Sequence, residues 1–163
     1  MSVLPYLKKK YLKYESYKEQ TIGDIFTREQ LGNAIKLEAY EMHSSVFINS
    51  GNKTFTKKPL PTEAQLSPMY GIAVNDFDHD GKTDIVMGGN FYESKPEVGI
   101  YDASYGVLLQ GDGRGNFTAV NENQSGMMVK GAVRDIVEVK SGGRQLIIFA
   151  LNNEAPKIFD FKK

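Results

Sequence analysis

The fold turns on Gly71-Ile72-Ala73-Val74-Asn75-Asp76-Phe77-Asp78-His79-Asp80-Gly81-Lys82-Thr83-Asp84-Ile85-Val86-Met87. Two short apolar runs rich in β-branched residues flank a polar stretch. The second run stops at Gly88-Gly89-Asn90, so both read as buried strands joined by a loop. Within the loop, Asp76, Asp78, Asp80 and Asp84 stand at positions 1, 3, 5 and 9, and Gly81 at position 6 permits a sharp turn. Alternate residues of a tight loop can aim oxygens at one centre. A hard cation the size of Ca²⁺ takes about six to eight oxygens at about 2.3–2.6 Å. The four aspartates would give side-chain oxygens and Lys82 its backbone carbonyl. Without a cation the same residues make an acidic, solvated turn. An EF-hand is excluded: its loop ends in glutamate at position 12 and enters a helix, whereas Met87 stands here, inside a strand.

The surrounding chain bounds the class. Its 163 residues suffice for one domain with a core, and 40% hydrophobic with 25% charged residues is ordinary for a soluble globular chain. A net charge of zero argues against nucleic acid as the main partner. No cysteine is present, which excludes disulfides, thiol catalysis and cysteine-ligated metals. No apolar run is long enough to span a membrane. Lys8, Lys9 and Lys10 fall where the apolar part of a secretory signal would lie, so the start of the chain does not read as one.

Residues 1–33 read as a helical lead. Ser2 to about Glu19 is expected to be a helix, capped by Ser2, with Pro5 near its first turn and Leu4, Leu7, Tyr11 and Tyr14 on one face. Thr27 with Gln30 forms a capping box for a second helix ending near Gly32. Residues 34–163 read as β. Ile35, Leu37 and Ala39 alternate with polar residues as in a half-buried strand, followed by strands at Val46–Ile48 and Thr54–Thr56; Pro59 and Pro61 end the segment. After Asn90 the chain is irregular from Glu93 to Tyr105. Strands then follow at Val107–Gln110, Asn116–Val120, Ala132–Val139, Gln145–Leu151 and Lys157–Phe161.

Two segments echo each other. Val46 to Gly51, ending in Phe55-Thr56, matches Val107 to Gly113, ending in Phe117-Thr118, an offset of 62 residues. Gly71 to Asp76 matches Gly131 to Asp135 at nearly the same offset, and Asn90 answers to Asn152 or Asn153. The second copy keeps Asp135 but has Ser141-Gly142-Gly143-Arg144 in place of the acidic cluster, so it should make a plain hairpin turn. Four strands per period is a propeller-blade pattern.

On these residues, above all Val74 to Val86 and the hairpins carrying Phe55 and Phe117, the chain resembles the C-terminal end of an FG-GAP, or VCBS-type, repeat protein with integrin-α-like blades. The resemblance covers about residues 40 to 163. It implies a mainly β chain forming a partial β-propeller of about two four-stranded antiparallel blades behind a short helical segment. The outer strands of one blade would occupy 34–58, a full calcium-loop blade 69–120, and a partial, degenerate blade 131–163. It also implies structural calcium at Asp76, Asp78, Asp80, Lys82 (carbonyl) and Asp84, an extracellular, cell-surface or periplasmic setting, and non-catalytic binding or adhesion. Family propellers commonly close a ring of seven blades. The chain is therefore expected to be a piece of a longer protein, its open sheet edges covered by further blades or a second copy.

Other chemistry is weaker. Gly111 to Gly115 is glycine-rich, but a strand rather than a helix follows it, which favours a hairpin over a phosphate loop. His79 occupies a non-ligand loop position, and His43 has no accompanying nucleophile. Tyr92, Tyr101 and Tyr105 would contact a protein or carbohydrate ligand, or pack between sheets. Asp102 and Glu97 would be the acid–base pair of a carbohydrate-active hydrolase or lyase, the alternative to a binding module. A third reading is a structural end-cap of a larger protein. Asn52, Asn116 and Asn123 head glycosylation triplets.

Overall fold

The computed structural model describes residues 4–161 and divides into two compact units, Met1–Glu41 and Met42–Lys163. The first holds three short helices, α1 (Tyr6–Lys10), α2 (Ile22–Ile25) and α3 (Arg28–Gly32), with a 3₁₀ turn at Tyr14–Ser16. The capping box is formed as expected: Gln30 N–H donates to Thr27 Oγ1 and Thr27 N–H to Gln30 Oε1. A second box, Thr21 with Asp24, starts α2.

The long first helix does not form. The backbone turns extended at Tyr11, and Leu12 and Tyr14 are exposed, while Ser2 lies outside the described residues. A helix of this length needs a buried face, and Tyr is an indifferent helix former. The chain instead doubles back. Tyr11 packs edge-on against Tyr17 at 5.5 Å, Tyr11 donates its hydroxyl to Gln20, and Lys10 Nζ donates to the Asp24 carbonyl. The strand expected at Ile35–Tyr40 is also absent: Ile35, Leu37 and Tyr40 are each 89% exposed. Alternation makes a strand only where a ladder partner and a burying surface exist, and among the described residues this run has neither.

The second unit is mainly β, with three antiparallel sheets. β1 (Ser45–Gly51) and β2 (Thr54–Pro59) form a hairpin closed by left-handed Asn52 and Lys53. β3 (Met69–Asn75), β4 (Asp84–Gly89), β5 (Val107–Gly111) and β6 (Phe117–Val120) form a four-stranded sheet in sequence order. A short helix, α4 (Glu122–Ser125), leads to a third sheet of β7 (Val133–Ser141), β8 (Arg144–Leu151) and β9 (Lys157–Asp160). The Gly142-Gly143 turn between β7 and β8 has positive φ at both residues, the two-residue hairpin expected there.

The four-stranded sheet is covered on both faces. Val86 and Leu108 pack on one side with Val133, Ile136, Ile147 and Phe149 of the third sheet. Ile85, Met87, Val107 and Leu109 pack on the other with Leu60 and Ala64, and with Val46 of β1. All six residues of β4 are buried, which is why Ile85 to Met87 form a continuous apolar run rather than an alternation. β3 meets β7 so closely that a Cβ on Gly71 would stand 2.7 Å from an Ile136 side-chain carbon and 2.9 Å from the Asp135 backbone. Gly71→Ala should therefore cost about 1–3 kcal/mol by overpacking, read as a fall in the denaturation midpoint at unchanged m.

Candidate metal centre

The loop between β3 and β4 is held at both ends before any ion is considered. Phe77, an apolar residue among aspartates, is 3% exposed and stacks on Phe161 at 5.0 Å. That plug fixes the loop to the core. Asp84, the first residue of β4, is 1% exposed; its Oδ2 accepts from Phe77 N–H (3.0 Å) and its Oδ1 from Gly111 N–H on β5 (2.9 Å). One carboxylate thus ties the loop to two strands.

The rest of the loop folds around carboxylates. Asp76 accepts from Asp80 N–H (3.0 Å) and Gly81 N–H (2.9 Å). Asp78 accepts from Asp80 N–H and, across the sheet, from Gln110 Nε2 at 2.7 Å. Gly81, at φ +85, makes the turn that lets these N–H groups face inward, as its position in the sequence predicts. His79 is exposed in the left-handed region and points to no role as a ligand.

One oxygen each from Asp76, Asp78 and Asp84 lies within 4.8 Å of the others. This triad can hold a metal ion: three hard carboxylate oxygens converge on one point, and each carboxylate keeps lone pairs beyond those used by the N–H donors. At such spacing two like charges repel by about 1 kcal/mol in water and by more near protein, which a bound cation would offset.

The fourth aspartate is not in this group. Asp80 turns to Lys82, accepting from its Nζ (2.5 Å) and its N–H (2.8 Å). The Lys82 side chain and backbone hold the Asp80 carboxyl below the usual carboxylate range, and Asp80 in turn raises Lys82.

The three tyrosines belong elsewhere. Tyr92, Tyr101 and Tyr105 lie on the connection from β4 to β5, at the end of β4 opposite the acidic loop. Phe91 and Tyr101 form an isolated bridge, and Tyr101 and Tyr105 are 46% and 41% exposed. Burial, with Asp102 and Glu154 nearby, raises the Tyr92 hydroxyl. Glu97, Asp102 and His43 are exposed.

Gly111 to Gly115 is a hairpin turn. Asp112 accepts from Arg114 N–H, Asn116 N–H and Asn116 Nδ2, and these hold its carboxyl down to about 2. A carboxyl lowered on folding stabilises the fold fully above its ordinary pKa, and the contribution disappears as the pH falls toward the folded value. Wild type should therefore melt above Asp112→Asn at pH 6, and the gap should close as the pH falls from about 4 toward about 2.

Phe77, Gln110 and Gly111 were not legible as parts of this centre. The one signal was Phe77 itself, a large apolar residue inside an otherwise polar loop. Comparison with protein-family models, with curated proteins and with solved structures gave no match.

Proposed function

We propose that this chain is a calcium-stapled, non-catalytic binding module of propeller type, working outside the cell or at its surface. The carrying observation is the convergence of Asp76, Asp78 and Asp84 at the turn between two core strands. Calcium suits the site better than a transition metal because every donor is a carboxylate oxygen, with neither histidine nitrogen nor sulfur among them. In this reading Asp80 completes the shell by leaving Lys82, the Lys82 carbonyl adds an oxygen, and water fills the remaining positions. The ion is structural: it neutralises the loop and locks β3 to β4.

Three antiparallel sheets, the middle one four strands in sequence order, support the propeller part of the reading. So does the loss of acidic residues at the Ser141–Arg144 turn, which this reading assigns to a repeat without an ion. Among the described residues no helix is long and apolar enough to cross a membrane.

The test is calorimetric titration with calcium of wild type and Asp78→Ala. Asp78 is exposed and its carboxylate accepts only from Asp80 N–H and the exposed Gln110 side chain, so its loss should weaken calcium binding by at least tenfold and leave the calcium-free protein folded. Equal binding by the two proteins would remove the site.

A further inference from the structure

The hairpin β1–β2 covers only part of the face on which it lies. Val46 packs against the core cluster that includes Ile85, Met87 and Leu109. On the same face of β3, Ile72 and Val74 pair with Met87 and Ile85 but are 55% and 58% exposed. Between them is an apolar groove of about 380 Å³, with Ser45, Val46 and Phe47 along one wall and Ile72, Ile85 and Met87 below. No charged side chain lines it.

The wall is an open sheet edge. β1 pairs only with β2 among the described residues. Leu60 N–H donates to the Ser44 carbonyl, and the register continues from there. Alternate residues of an antiparallel strand aim their backbone groups at opposite edges. Ser44, Val46 and Ile48 therefore face β2, and Ser45 and Phe47 present N–H and C=O to the groove.

The four-stranded sheet shows how such an edge is filled. At the offset of 62 residues, Ser45, Val46 and Phe47 answer to Val107, Leu108 and Leu109. Those three residues are paired by β4, through Met87, Val86 and Ile85. The parity agrees as well: the Asp112 N–H donates to Asn116 on the β6 side, whereas Gly111 N–H faces Asp84 on the β4 side. Thus Val107 and Leu109 turn toward β4 as Ser45 and Phe47 turn toward the groove.

We propose that the groove is the docking site for a β-hairpin of another polypeptide. Its second strand adds antiparallel to the β1 edge, as β4 does to β5, and its alternate apolar side chains cover Ile72 and Val74. The contact continues the existing interface between β1–β2 and the four-stranded sheet. Every described strand of this unit already has its place, so none of them is the occupant. Strand addition draws affinity from backbone hydrogen bonds and specificity from alternate side chains, here apolar ones without charge. The proposal rests on reading β1–β2 as half of a repeat and uses nothing of the cation.

The probe is a fluorescein-labelled synthetic peptide with the sequence of residues 69–90, the hairpin that fills the corresponding edge in the four-stranded sheet. Anisotropy is followed against wild type, Phe47→Pro and Ile72→Lys. Proline at 47 removes an N–H that faces the groove and none that faces β2, and edge positions tolerate proline. Ile72→Lys places a charge on the floor at an exposed position and keeps the test decisive if the proline variant does not fold. Calcium titration of both variants, expected to match wild type, separates failure here from failure of the metal reading. Saturable binding, weakened at least tenfold by either substitution, is the expected result. Absence of saturable binding, or equal affinity for all three proteins, would overturn the proposal. So would a concentration-dependent dimer of wild type that Phe47→Pro abolishes and the peptide cannot displace, since a second copy would then be the occupant.

Discussion

Asp84→Ala should be among the most damaging single changes in the second unit, even without metal. Its carboxylate is buried and accepts from the N–H groups of Phe77 and Gly111. Alanine leaves both donors without a partner where water does not reach them. Each orphaned group costs about 1–3 kcal/mol, and the loop loses its tie to two strands. A chain of this size loses roughly 2–4 °C of melting temperature per kcal/mol. The melt, followed in chelator by circular dichroism, should therefore fall by about 10 °C, and calcium should no longer raise it. Asp84→Asn keeps one accepting oxygen but turns an amide donor toward the second N–H, so it should fall by less and still lose the calcium response. Together with Asp78→Ala the pair separates the two roles proposed for neighbouring carboxylates: Asp84 for the fold and the ion, Asp78 chiefly for the ion.

Asn90→Ala should be comparably severe at the other end of β4. Asn90 is 1% exposed and sits in the left-handed region at φ +80. Its Nδ2 donates to the carbonyls of Ser104 (2.7 Å) and Gly131 (3.0 Å), and its Oδ1 accepts from Ser104 N–H. One side chain thus joins the end of β4, the irregular β4–β5 connection and the run into β7. Its own carbonyl accepts from Arg134, whose guanidinium lies over Tyr70 at 4.9 Å. Alanine removes three hydrogen bonds from a dry site and adds about 1–2 kcal/mol for a left-handed non-glycine backbone. The sum is about 3–5 kcal/mol, again about 10 °C. Asn90→Gly keeps the backbone conformation accessible and should recover about 1 kcal/mol of that loss. Limited proteolysis of both variants should cut first between residues 91 and 105, the segment that Asn90 anchors.

What could be read in advance followed from how local each signal was. Every strand from β1 to β9 announced itself, because a β-branched run between turn residues needs only its neighbours to be recognised. The Thr27–Gln30 box and the Gly142-Gly143 turn were legible for the same reason. Ile35 to Tyr40 carried the same alternation and formed no strand, since pairing depends on a partner that the run itself does not specify. The lysine-rich stretch after Pro5 had a helical stripe, but Tyr11, Tyr17 and Gln20 met by folding the chain back instead.

The acidic loop shows the same division. Spacing alone picked out its aspartates, and Gly81 makes its turn as spacing required. Spacing did not tell that Asp80 would pair with Lys82, because a salt bridge two residues away competes with convergence. Nor did it foretell that Gln110 and Gly111, from a strand distant in sequence, would meet Asp78 and Asp84. Long-range hydrogen bonds leave no periodic trace, and Asn90 stood out only as a residue next to a glycine pair with a counterpart at Asn152 or Asn153.

Calcium binding by Asp76, Asp78 and Asp84 in the folded state should appear in thermal melts of wild type in chelator, in calcium and in magnesium. A ligand that binds only the folded state stabilises it by about 2.7 kcal/mol at a hundredfold excess over Kd, which for this chain is several degrees. The melting temperature should shift upward in calcium, less in magnesium, which demands stricter octahedral geometry, and return to the starting value in chelator. An identical melting temperature in all three solutions, with the protein folded, would contradict calcium binding and leave Asp76 to Asp84 an acidic turn.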